Sequence, residues 1–134
     1  MSIYFPMTAE ILTPGHIKCL DFLSTKDFVI VGLLTSKALK GYKKCVVSFE
    51  DRNFVLQAVI RGSDNIIIVK QDSIDPRDNI RLLGCDAIAS GDGWEIEEEI
   101  AIGELNLKKI DINFPKDYSS SGIKTKILEN DAVV

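Results

Sequence analysis

Met7-Thr8-Ala9-Glu10-Ile11-Leu12-Thr13-Pro14-Gly15-His16 joins two segments of different periodicity. Before it, Ser2-Ile3-Tyr4-Phe5 is a short apolar run that reads as a buried strand. After it, Ile17, Leu20 and Leu23 recur at helical spacing. Thr13 suits an N-cap, and Pro14 suits the first helical position, where an amide N–H would have no partner in the helix. His16, the single histidine of the chain, then falls in the first helical turn, beside exposed N–H groups and the positive end of the helix dipole. Such a turn is a ready anion site, and a phosphate is its natural guest.

Outward from this turn, strand and helix patterns alternate. Asp27 to Leu34 is a continuous apolar run, as expected of a strand buried on both faces. Thr35 to Lys44 is polar and carries Lys37, Lys40, Lys43 and Lys44 around Gly41-Tyr42, a loop or broken helix where a parallel strand ends. Ser48-Phe49-Glu50-Asp51 has a capping-box-like spacing and opens a helix whose buried face is expected to be Phe54, Val55, Leu56 and Val59. Asn65 to Val69 is another apolar strand, and Asp75 to Leu83 a short helix with Pro76 in its first turn. Asp86 to Ser90 forms a fourth strand leading into Gly91-Asp92-Gly93-Trp94. The acidic stretch Glu95 to Glu104, carrying Ile96, Ile100 and Leu105, reads as a helix with a solvated face. Lys109 to Phe114 alternates as a final strand, and Ser119-Ser120-Ser121 opens a last helix with Ile123 and Ile127 inward. The end, from Glu129 to Val134, is expected to fray. This order predicts an α/β fold: a Rossmann-like five-stranded parallel sheet with helices on both faces. No G-x-G-x-x-G opens the first helix, which argues against a dinucleotide domain of the usual kind.

The 134 residues suit a single domain, residues 1–134, with a full core. A net charge of −4 argues against non-specific nucleic-acid binding. No apolar run is long enough to span a bilayer, so no membrane partner is expected. Cys19, Cys45 and Cys85 are far apart and form no C-x-x-C pair. They read as reduced thiols of a cytoplasmic protein, with no metal site, and Cys19 and Cys85 lie in apolar context as core fillers.

Thr13-Pro14-Gly15-His16 resembles the (His/Thr)-x-Gly-His signature of the nucleotidyltransferase superfamily, and the chain looks most like its glycerol-3-phosphate cytidylyltransferase branch. In that family a Gly-x-Phe-Asp turn precedes the signature; here the matching positions are Met7-Thr8-Ala9-Glu10, so Gly and Phe are absent and Glu replaces Asp. Thr13 stands where cytidylyltransferases usually carry a first histidine, although adenylyltransferases accept threonine there. Lys43-Lys44 followed by Phe49-Glu50-Asp51-Arg52 is similar to the family's lysines before a [Tyr/Phe]-Glu-x-Arg helix. Gly91-Asp92-Gly93-Trp94-Glu95 resembles Gly-Asp-Asp-Trp-Glu, with one Asp replaced by Gly. Tyr118-Ser119-Ser120-Ser121-Gly122-Ile123-Lys124 resembles the signature at which hydroxyls and N–H groups hold the β- and γ-phosphates.

The resemblance implies transfer of a nucleotidyl group, CMP from CTP, to a small phosphorylated or phosphonylated alcohol with release of pyrophosphate. It implies His16, Lys43 and Thr13 as catalytic residues. It implies Thr8, Ala9, Glu10, Gly15, Gly91, Asp92, Trp94, Lys116 and Ser119 to Ser121 around the nucleotide, with Ser119, Ser120 and Ser121 each on the leaving pyrophosphate. Arg52 and Lys44 would face the acceptor, Mg2+ would be carried mainly by the nucleotide phosphates, and the chain would pair as a homodimer. Adenylyl transfer from ATP, of the phosphopantetheine or FMN type, is the alternative that Thr13 favours. A nucleotide-binding relative with little catalysis is the alternative that the altered Met7–Glu10 turn favours.

Overall fold

The computed structural model describes residues 1–91, 93–112 and 127–128. Five strands, β1 (Ser2–Met7), β2 (Phe28–Leu34), β3 (Ile66–Gln71), β4 (Ala87–Ser90) and β5 (Lys108–Asp111), form one sheet in the order β3-β2-β1-β4-β5. All four pairings are parallel. Between them lie α1 (Pro14–Lys26), the short α2 (Ser36–Leu39), α3 (Phe49–Ile60), α4 (Arg77–Leu83) and α5 (Ile96–Leu105). The predicted architecture is therefore the observed one. The strand order reverses at β1, so a crevice is expected at the carboxyl ends of β1 and β4.

Each sheet face carries its own core. On one, Cys19, Leu20 and Leu23 of α1 and Leu56 and Ile60 of α3 pack on Ile3, Phe5, Val29 and Val31. On the other, Ile80 of α4 and Ala101 of α5 pack with Tyr4, Ile30 and Ile88. The second face also holds a buried polar network. The Tyr4 hydroxyl donates to Gln71 Oε1 at 2.6 Å and accepts from Asn79 Nδ2 at 2.9 Å. Gln71 Nε2 donates in turn to the Ser73 carbonyl at 2.9 Å. Burial pushes the Tyr4 phenol well above its ordinary range, so it remains a donor. Gly32 is dictated by this network, because a Cβ there would run into the Tyr4 hydroxyl and ring.

Some boundaries and faces differ from the sequence expectation. β1 runs two residues beyond Phe5 because Pro6 and Met7 continue the register with Gly32 and Leu33. Pairing of β1 to β4 involves Ile3 and Tyr4, and past these residues the two strands no longer pair, which opens the crevice. The sheet-facing residues of α3 are Arg52, Leu56 and Ile60, whereas Phe54 is 74% exposed and Val55 and Val59 are also exposed. Spacing by four residues selects this stripe, and it includes an arginine that an apolar pattern passes over. Ile17, Ile96 and Ile100 are likewise exposed, and α5 buries Glu98 and Ala101 instead. The predicted last strand ends at Asp111, and of the predicted helix from Ser119 only residues 127 and 128 are described, where Ile127 is exposed and not inward as expected. All three cysteines are free, with Cys19 and Cys85 buried as expected.

Candidate active site

A cleft opens at the carboxyl edge of the sheet where β1 and β4 part. Its floor is the end of β1 and the turn after it, from Phe5 to Ala9. One wall brings His16 and Cys19 of α1, another Tyr42 and Lys43 of the loop after α2, and a third Glu95 and Glu98 at the start of α5. Gln71 and Ile74 close the β3 side, and Ser90, Gly91 and Gly93 the β4 side. The site thus lies at the switch point that the topology dictates.

His16 is the third residue of α1, and its orientation is set locally. The Thr13 backbone N–H donates to His16 Nδ1 at 3.1 Å, and Thr13 Oγ1 lies 2.9 Å from the same nitrogen. A backbone N–H can only donate, so Nδ1 is the acceptor and the neutral ring carries its proton on Nε2. This is a capping box with histidine in the place usually held by glutamate. Thr13 is itself buried, at 4% exposure, and is not part of the cleft lining. It acts on the site through the histidine it holds.

The turn before α1 is tied down from elsewhere. Ala9 has φ of +54°, a left-handed conformation in which a non-glycine residue is strained by about 1 kcal/mol. Glu10 Oε2 accepts from the Val46 N–H at 2.6 Å, joining this turn to the segment before α3. Arg52 holds it from below. Its Nη1 donates to the carbonyls of Thr8 (2.8 Å) and Leu34 (2.7 Å), and its Nε to that of Val47 (3.1 Å). At 1% exposure, with Nη2 buried and without a hydrogen-bond partner among the described residues, Arg52 lies beneath the cleft rather than in its lining. The guanidinium expected at the acceptor instead braces the ends of β1 and β2, because three carbonyls converge on it.

Of the other predicted residues, Thr8, Ala9, Lys43 and Gly91 line the cleft, while Gly15 is buried inside the first turn of α1 and Lys44 is exposed outside the lining. Trp94 turns toward β5, where its Nε1 donates to the Asp111 carboxylate and the Lys109 ammonium lies 4.8 Å from its ring centre. Gly93 has φ of +98°, which a side chain would strain, and its carbonyl accepts from the Ser90 hydroxyl. Asp92, Lys116, Ser119, Ser120 and Ser121 lie outside the described residues.

The cleft also contains residues that the motifs did not single out. Tyr42 donates to Glu95 Oε1 and links the lysine loop to the start of α5. Burial, then the hydrogen bond and charge of Glu95, push its phenol well up. Glu98 is 7% exposed, and its Oε1 accepts from the Glu95 N–H at 2.8 Å in a second capping box. Burial and the charges of Glu95, Glu97 and Glu99 outweigh that hydrogen bond and push its carboxyl up to about 7. The signal for Glu98 was present in its place three residues after Glu95, but the run of glutamates around it hid which one turns inward. Burial also pushes the Cys19 thiol up to about 11, which disfavours its thiolate, and its side chain packs in the core beneath the cleft. Among the described residues no group of three or more His, Cys, Asp or Glu is placed to hold a metal ion.

No family model matches the chain. The chain is 32% identical over 122 residues to the bifunctional protein HldE of Helicobacter pylori (strain J99 / ATCC 700824). That match covers 88% of this chain and 26% of the relative, so the chain spans about a quarter of the relative's length. Among solved structures it resembles the lipopolysaccharide core biosynthesis protein from Thermoplasma volcanium GSS1, with a TM-score of 0.65 at 18% identity. This likeness covers 87% of the chain and 97% of the neighbour, and shows a shared fold.

Proposed function

We propose that the chain, as a single domain of residues 1–134, is a nucleotidyltransferase that moves a nucleotidyl group from an NTP to a phosphate-bearing acceptor and releases pyrophosphate. The observation that carries the reading is the fixed His16 ring on the wall of a cleft that Lys43 also lines. The likeness to HldE, together with the shared α/β fold, supports a nucleotidyltransferase-like chain.

In this reading the NTP enters as its magnesium complex, with the ion carried by its own phosphates, and meets the Thr8–Glu10 turn and the start of α1. An acceptor phosphate oxygen attacks the α-phosphorus in line, the new P–O bond forms, and the α–β bridging P–O bond breaks with its electrons leaving on pyrophosphate. The protein's work is positioning and charge stabilisation. The Nε2 proton of His16 is the donor to the phosphate oxygens as charge builds on them. Lys43 neutralises acceptor and leaving phosphates, and Thr13 and Arg52 hold the turn in shape. Gly91, Asp92, Lys116 and the serines from Ser119 to Ser121 complete the nucleotide side.

Cytidylyl transfer from CTP is preferred, because the Lys43 and Gly-Asp-x-Trp segments resemble that branch. A small phosphorylated or phosphonylated alcohol, sugar phosphates included, is the acceptor class. A cytoplasmic homodimer belongs to the same proposal; the exposed apolar residues Phe54, Val55 and Val59 on α3 support the pairing. No helix among the described residues is long and apolar enough to cross a membrane.

Calorimetric titration with CTP, ATP, GTP and UTP, each with magnesium, tests the reading. Selective CTP binding is the expected result. Selective ATP binding moves adenylyl transfer to first place, which Thr13 favours. Binding of none removes the enzyme reading.

A further inference from the structure

The capping box of α5 accounts for only half of the Glu98 carboxylate. Oε1 is occupied by the Glu95 N–H, whereas among the described residues no group donates to Oε2. Arg52 Nη2 is the only fully buried, unpartnered side-chain polar atom among the described residues, so the small exposed part of Glu98 includes Oε2, which meets the solvent of the cleft and can take a donor from a molecule that enters. Glu98 belongs to the cleft lining, so Oε2 can be reached from there.

Three features define what that donor is. First, a metal ion is a poor match, because no group of three or more acidic or His/Cys ligands gathers here among the described residues. Second, the start of α5 is bound to the lysine loop through Tyr42 and Glu95, so Glu98 shares the Lys43 side of the cleft. Third, Gln71, which also lines the cleft, directs its amide N–H groups to the carbonyls of Ser73 and Ile74 and so is not a donor to the incoming molecule. A molecule that carries a phosphate for Lys43 and a hydrogen-bond donor for Glu98 would satisfy both groups of the lining.

We infer that Glu98 is a specificity-determining residue whose Oε2 accepts a hydrogen bond from a hydroxyl of a polyol or sugar phosphate bound on the Lys43 side of the cleft. The inference rests on the transfer reading for the identity of the phosphate site, and it names the feature by which the acceptor is selected. The hydroxyl belongs to the acceptor or to the ribose of the nucleotide, and the two sources are separable.

The test compares the full chain with Glu98→Gln, which keeps an oxygen for the Glu95 N–H and replaces the second oxygen with a donor. Binding is measured for two matched pairs of probes: glycerol 3-phosphate against n-propyl phosphate, and glucose 1-phosphate against cyclohexyl phosphate. The wild-type chain is expected to favour the hydroxylated member of at least one pair by about tenfold, the worth of one hydrogen bond to a charged group, and Glu98→Gln to lose that preference. Glu98→Asp, which keeps the charge but withdraws it by one methylene, is expected to lose it too. If the preference appears instead between CTP and its 2′-deoxy analogue, and vanishes in Glu98→Gln, the hydroxyl is the ribose's. A wild-type chain indifferent to hydroxyls in every pair overturns the inference, as does a preference that Glu98→Gln retains. A chain that binds no magnesium nucleotide yet prefers the polyol phosphates would end the transfer reading and leave the role of Glu98 standing.

Discussion

Helices α1 and α5 begin on the rim of the same cleft, and each closes its first turn with the side chain of its third residue. In α1 that residue is His16, and in α5 it is Glu98. Each uses one atom, Nδ1 or Oε1, to accept the backbone N–H of its own cap. The second hetero atom of each side chain differs in character: Nε2 carries the proton of the neutral His16 ring and Oε2 of Glu98 a lone pair. One local device thus orients a donor on one wall and an acceptor on another. In both cases the cap fixes the side chain before any ligand arrives, which is the preorganisation that positioning catalysis needs.

The sharpest way to break this comparison is His16→Ala. Pyrophosphate release is expected to fall by about 10²-fold or more, in line with losing a transition-state donor. A turnover that hardly changes would reduce the α1 cap to a structural feature. Next in size is Arg52→Met, which leaves the carbonyls of Thr8, Leu34 and Val47 without their donor. Denaturant unfolding should show a loss of about 2–4 kcal/mol, several hydrogen bonds' worth, and Arg52→Lys should recover little of it because an ammonium lacks the planar fork. An Arg52→Met chain as stable as wild type would show that the turn before α1 does not depend on this brace.

The α5 side of the comparison can be sharpened by pH. The Glu98 carboxyl has an ordinary value of 4.5 and is raised to about 7 in the fold. Between these values the folded chain binds more protons than the unfolded one, so the Glu98 contribution to stability decreases as pH rises from about 4.5 to about 7. Wild type should therefore lose ground to Glu98→Gln across that window in unfolding experiments, and the difference should level off above it. A constant difference would mean that Glu98 is not held in a desolvating wall. The smallest effect concerns the turn beneath His16. Ala9→Gly should stabilise the chain by up to about 1 kcal/mol by relieving the left-handed conformation, whereas Ala101→Gly in the buried interior of α5 should destabilise it by about that amount. Equal effects of the two substitutions would deny that the strain is local to the Ala9 turn.

Much of this architecture was legible along the chain because its signals are local. The apolar run at Phe28–Leu34 has no polar face, as a central strand buried on both sides requires, whereas the equally apolar Ile66–Val69 forms an edge strand that leaves Ile67 exposed. Thr13-Pro14 marked the start of α1 by cap chemistry alone. The faces of α3 and α5 were not legible in the same way. Phe54, Val55, Ile96 and Ile100 are apolar and exposed, while Arg52 and Glu98 are charged and buried. Hydrophobicity ranks residues by transfer cost, but Arg52 meets that cost with the carbonyls of Thr8 and Leu34, which only the folded chain brings near, while Glu98 offsets part of it through the Glu95 N–H three residues away.

The sequence by itself determined the order of strands and helices, the crossovers that make the sheet parallel, and the turn that caps α1 and ends at His16. These follow from periodicity, capping and proline or glycine placement, each confined to a few neighbouring residues. Only the tertiary structure decided which side chains face the cleft. The brace from Arg52 to Thr8 and Leu34, the link from Tyr42 to Glu95 and the inward turn of Glu98 join or orient groups far apart in the chain. Their geometry exists once the sheet has brought the carboxyl ends of its strands together, because a hydrogen bond is set by distance and angle in space and not by separation in sequence.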